Sequence, residues 1–65
     1  MGMIAKYKVY VERLGRDSDI VKLFESYEDA LNYAKHQPIG YSYLYELNGF
    51  EQKLIFQKEN NKKRI

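Results

Sequence analysis

The sequence predicts a small two-layer α+β domain of the order ββαββ, with a mainly antiparallel four-stranded sheet and one helix packed on one of its faces. Three observations carry this. Asn48-Gly49 lies between two alternating runs, residues 41–47 and 50–56, which is the pattern of a tight β-hairpin. Ser26 opens a stretch with helical spacing of apolar residues, and Pro38 closes it. Residues 4–14 alternate apolar and polar ahead of the turn-forming cluster Gly15-Arg16-Asp17-Ser18-Asp19.

Taken in order, the first strand spans residues 4–14. Ala5, Tyr7, Val9 and Val11 point one way, and Lys6, Lys8, Tyr10 and Glu12 the other. The odd set is apolar and is expected to face the core. A second strand, residues 20–25, returns along the first. Val21 and Leu23 there oppose Ile20, Lys22 and Phe24, an alternation that does not select an inward face.

Ser26 is a good N-cap, with Asp29 three residues on. Glu28 and Asp29 in the first turn and Lys35 and His36 in the last complement the helix dipole. Tyr27, Ala30, Leu31 and Ala34 form one stripe, with Tyr33 at its edge. The two alanines allow the helix to lie close to the sheet. Pro38 disfavours helical geometry at Gln37 and ends the element.

A two-residue turn at Asn48-Gly49 sets Leu47 against Phe50, Tyr45 against Gln52, Tyr43 against Leu54 and Tyr41 against Phe56. One face of the hairpin then carries Tyr41, Tyr43, Tyr45, Leu47, Phe50, Leu54 and Phe56. That aromatic face is expected to be inward. Ser42, Leu44, Glu46, Glu51, Lys53, Ile55 and Gln57 are expected to be outward. A slip of one residue exchanges the two sets.

With 65 residues there is one domain, expected over residues 1–57, and residues 58–65 read as a flexible basic tail. So short a chain buries about 60% of its unfolded surface, and its core rarely supplies more than about 3–5 kcal/mol. There is no cysteine, so neither a disulfide nor a thiolate metal site is available. Seven Tyr and three Phe are the material for a core, and association is the other route to stability, so a homodimer is a possible state. The net charge of +2 is unevenly placed. The first 57 residues sum to −1, and the basic excess lies in Lys58, Lys62, Lys63 and Arg64.

No apolar run approaches a membrane span, and the start of the chain lacks a signal-peptide core, so a cytoplasmic protein with no membrane partner is expected. There is no phosphate-binding or dinucleotide motif, and no cofactor is implied. Asp17-Ser18-Asp19 reads as a turn, because Ile20 and Val21 stand where a calcium loop needs oxygen ligands. His36 is the single histidine and reads as a helix-end residue. Ser26, His36 and Asp29 could be assembled into a triad on paper, but Ser26 is the N-cap and a fold this small offers little cleft. A non-enzymatic protein is expected.

The leading reading is a protein-interaction module. If one helix covers one face of the sheet, Tyr10, Leu44 and Ile55 are left on the other, rimmed by Lys8, Glu12 and Lys53. The partner would be a host protein or a second copy. The alternative is a nucleic-acid-binding regulator using the sheet lysines and the tail residues Lys58, Lys62, Lys63 and Arg64. The tyrosines of residues 41–45 could also serve as a base-stacking platform, but on the register above they are core rings.

Gly15-Arg16-Asp17 between two strands, followed by Phe24-Glu25-Ser26-Tyr27-Glu28-Asp29-Ala30, resembles the arm-site DNA-binding domain of phage integrases over residues 7–36. That resemblance implies a short sheet ahead of a helix, and DNA as ligand. The strands here carry Lys6, Lys8 and Lys22 and little else that is basic, and the chain continues into a second hairpin, so membership is not inferred. In style of sequence the chain is also similar to small accessory proteins of phages and mobile elements, many of which inhibit or regulate a host protein by docking on it.

Overall fold

A computed structural model describes residues 5–13, 19–38 and 40–60. Its elements run β1 (Tyr7–Glu12), β2 (Ile20–Phe24), α1 (Tyr27–Lys35), β3 (Gly40–Asn48) and β4 (Glu51–Asn60). The strands form one antiparallel sheet in the order β2-β1-β3-β4. The fold is therefore the expected small α+β domain, ββαββ, with the helix packed against all four strands from one side. The first strand is shorter than residues 4–14, while β2 starts where expected.

The helix begins as its sequence dictates. Ser26 has extended backbone geometry, and its hydroxyl accepts from the Asp29 N–H at 3.4 Å. At the other end the His36 N–H donates to the Asn32 carbonyl at 3.2 Å, and the His36 ring approaches the same oxygen. Ala30 and Ala34 are fully buried. They meet Val9, Val11 and Leu44, and these five side chains form the core. Tyr7, Ile20, Phe24, Leu31, Tyr33 and Phe56 pack around it, half-buried.

The second hairpin departs from the expected register. Asn48 pairs with Glu51, so the turn residues are Gly49 and Phe50, one step later than expected. Gly49 has φ +67°, and no described residue other than glycine has positive φ. Glycine alone supplying the left-handed position at the first turn residue is the mark of a type II′ turn, which needs nothing unusual of Asn48. Leu47 faces Gln52, Glu46 faces Lys53 and Tyr45 faces Leu54. A β-bulge follows: Leu44 faces Phe56, so Ile55 is an extra residue on β4.

These changes reverse the expected faces of β3. Val9 pairs with Leu44 and Val11 with Ser42, so Ser42 and Leu44 lie under the helix, and both are fully buried. Tyr41, Tyr43 and Tyr45 point away from it. The physical reason is the size of the residues that meet. A helix presenting alanines approaches closely, and leucine, valine and serine fill the gap. Three phenols there would each need a hydroxyl partner in a dry interior.

Strand β4 also runs past the expected domain boundary at residue 57. Lys58, Glu59 and Asn60 are its last three residues, so they are not tail. Asn60 is buried, and its amide donates to the Ser42 hydroxyl at 2.7 Å. The Lys58 ammonium donates to the Lys35 carbonyl at 3.0 Å, which holds the helix end to the sheet. Gly40 has φ +95° where the chain enters β3 against the end of β1.

Candidate functional site

The face opposite the helix is uncovered among the described residues. Its side chains stand in four rows across the strands. Lys6, Leu47 and Gln52 make the first row, Lys6 continuing the ladder by accepting from the Leu47 N–H at 2.9 Å. Leu23, Lys8, Tyr45 and Leu54 make the second. Val21, Tyr10, Tyr43 and Gln57 make the third, and Glu12, Tyr41 and Glu59 the fourth.

Aromatic contacts tie these rows together. The Tyr10 and Tyr43 rings stack with centroids 6.0 Å apart. The Lys8 ammonium lies 5.2 Å from the centre of the Tyr45 ring, within cation–π range. Val21, Leu23 and Leu54 are 57%, 56% and 45% exposed, large values for apolar side chains gathered on one surface.

Charge is polarised along the strands. Lys6 and Lys8 occupy one end, and Glu12 and Glu59 the other. Asp19 joins the acidic end, accepting from the Tyr10 hydroxyl at 2.5 Å and from the Arg13 N–H at 3.1 Å. These bonds, Tyr10 first and Arg13 second, hold the Asp19 carboxyl below its usual range. The same hydrogen bond, then burial and the charges of Asp19 and Glu12, pushes the Tyr10 phenol up to about 12. Burial, followed by the Glu12 charge, raises Tyr43 as well. A hollow of about 280 Å³ lies at this end, lined by Tyr41, Tyr43, Gln57, Lys58 and Glu59.

Of the residues the sequence singled out for a partner surface, Tyr10, Lys8 and Glu12 stand together on this face. Leu44 does not: it is the largest fully buried side chain among the described residues, and its expected exposure is overturned by the reversed register. Ile55 is the bulge residue on the edge strand, 37% exposed. Lys53 lies across from Glu46 near the hairpin end, in register with the helix side. For the nucleic-acid alternative, Lys58 is tied to the helix end, and Lys62, Lys63 and Arg64 lie outside the described residues. So do Asp17 and Ser18 of the acidic turn.

Sequence reasoning placed Tyr41, Tyr43, Tyr45 and Leu54 inward, and it left Val21 and Leu23 without a face. The available signal was the unequal demand for space: Ala30 and Ala34 leave little room for three rings on the strand beneath them.

No family model, curated protein or solved structure matches the chain. Among the described residues, no helix is long and apolar enough to cross a membrane.

Proposed function

We propose that the chain is a protein-interaction module that docks through its open sheet face. The observation that carries this reading is the clustering of Val21, Leu23, Leu54 and four tyrosines on one side of a sheet whose other side already holds the core. Tyrosine supports it because a large rigid ring with a polar tip is stable in water yet contributes much contact area when covered. The mixture of charges supports a protein over a nucleic acid. A phosphate-binding face is dominated by Lys and Arg, whereas Glu12, Asp19 and Glu59 here counter Lys6 and Lys8.

The test is a photo-crosslinking side chain at Val21, on the open face, and separately at Asn32, on the outer side of the helix. The Val21 probe should join the chain to a protein, a copy of itself or another, in its native cells. The Asn32 probe should not. Equal capture at both positions, or none at Val21, removes the docking reading. Retention on single-stranded oligonucleotides that weakens steeply with salt would favour the nucleic-acid alternative instead.

A further inference from the structure

Resting on that docking reading, we infer that the occupant of the open face is a second copy of this chain, related by a two-fold axis that runs across the strands between the second and third rows. A two-fold interface is isologous, so any residue placed on its partner position must suit it in both directions. Rotation about this axis exchanges the first row with the fourth and the second with the third, while each strand lies over its own copy. Lys6 then meets Glu12, and Lys8 meets the Tyr10 ring. Val21 meets Leu23, and Tyr43 meets Tyr45. Charge meets opposite charge or a π face along β1, apolar meets apolar along β2 and ring meets ring along β3, while on β4 Leu54 meets Gln57.

The other in-plane axis, along the strands, fails this requirement. It keeps every row over its own copy, so Glu12, Glu59 and Asp19 of both chains gather at one end and Lys6 and Lys8 of both at the other, like charge beside like charge. The polarity of the face therefore selects one arrangement. Two sheets meeting in this way keep their strands within about 30° of each other, the ordinary aligned packing of sheet on sheet. The product is a four-layer α/β/β/α particle.

The size of the core points the same way. Among the described residues, five apolar side chains are buried, and two of them are alanines. Four strands about 4.8 Å apart and seven residues at about 3.4 Å each give a footprint near 450 Å² per copy, on the order of 900 Å² for the pair before side-chain relief is counted. That approaches the threshold of about 1,000 Å² for a specific interface, the size class of weak or transient pairs.

The experiment is sedimentation of the full chain over a wide concentration range, repeated on charge variants, with circular dichroism to confirm folding. A monomer–dimer equilibrium is expected for the parent. Glu12→Lys and Lys6→Glu should each weaken it by about tenfold, since each places two like-charge contacts in the dimer. An equimolar mixture of the two variants should recover association, because Lys6 and the new lysine of one chain face Glu12 and the new glutamate of the other. A folded parent that stays monomeric to millimolar concentration overturns the inference and leaves the face free for a different protein. A dimer indifferent to Leu23→Asp, or a mixture that fails to recover, overturns it by placing the contact elsewhere.

Discussion

Gly40→Ala is expected to disrupt the domain far more than the same change at Gly49, although both glycines have positive φ. At Gly49 the backbone lies at φ +67° with nothing within 4 Å of the position a Cβ would take. The cost there is the left-handed conformation alone, about 1–2 kcal/mol, reduced by about 0.4–1 kcal/mol because alanine restricts the unfolded chain. The net loss is about 1 kcal/mol. At Gly40, with φ +95°, a Cβ would stand 2.0 Å from the Glu12 carbonyl oxygen and 3.3 Å from the Arg13 Cα. Both are backbone atoms of β1, which no side-chain rotation can move aside.

Relief requires the end of β1 to part from β3, which sacrifices hydrogen bonds near the Glu12–Tyr41 pair at about 0.5–1.5 kcal/mol each. Conformation and separation together come to about 2–5 kcal/mol, comparable with the whole stability of a domain this size. Urea and thermal unfolding at one fixed protein concentration measure the contrast. Gly49→Ala should melt within about 8 °C of the parent, since 1 kcal/mol moves a domain of this length by about 4–8 °C. Gly40→Ala should be unfolded or melt lower by more than about 10 °C. If it melts with the parent, or if the two variants lose equally, the close approach of β3 to β1 is not as described.

Three further outcomes follow from the same structure. Leu44→Ala should cost about 2–5 kcal/mol in urea unfolding as a cavity opens beneath α1, whereas Leu54→Ala on the open face should cost under about 1 kcal/mol in dilute protein; equal losses would return Leu44 to the surface. Tyr10→Phe should raise the Asp19 carboxyl toward its ordinary value in an NMR pH titration, although the Arg13 N–H still holds it down. Because Asp19 is depressed in the folded state, its stabilising contribution is present above the ordinary aspartate pKa and fades as pH falls through the depressed one. Tyr10, raised to about 12, contributes fully below pH 10 and loses that contribution as pH rises through 12. An unmoved Asp19 in Tyr10→Phe would break the link. Ser42→Ala should destabilise by about 1–3 kcal/mol, since it strands the buried Asn60 amide, whose Oδ1 has no partner among the described residues. A double-mutant cycle with Asn60→Ala should show coupling, and strict additivity would dismiss the bond.

What the sequence disclosed, and what it hid, divides along the physics of each element. In β1, Tyr7, Val9 and Val11 alternate with Lys8 and Glu12, so polarity alone chose the face. In α1, Ser26 and Pro38 punctuate the helix by local chemistry that needs no tertiary knowledge. In β3 both faces are ambiguous by polarity, since Tyr-Ser-Tyr-Leu-Tyr offers rings on one side and a serine with a leucine on the other. Area favours burying the rings. The alanines of the helix and the hydroxyl requirement of tyrosine decide otherwise, and both act across elements. The turn was ambiguous for a related reason: Asn48-Gly49 suits a type I′ turn, while Gly49-Phe50 suits type II′, and the winning one depends on which side of β3 faces inward. The bulge at Ile55 has no signature in the residues around it.

That extra residue also governs how the molecule can grow. An outer strand with an unbroken row of N–H and C=O groups invites other chains to add sideways and continue the sheet without limit. Ile55 interrupts the row midway along β4, with charged Lys53, Lys58 and Glu59 to either side, and β2 at the opposite margin is only five residues long. Lateral extension into fibrils is thus discouraged at both margins.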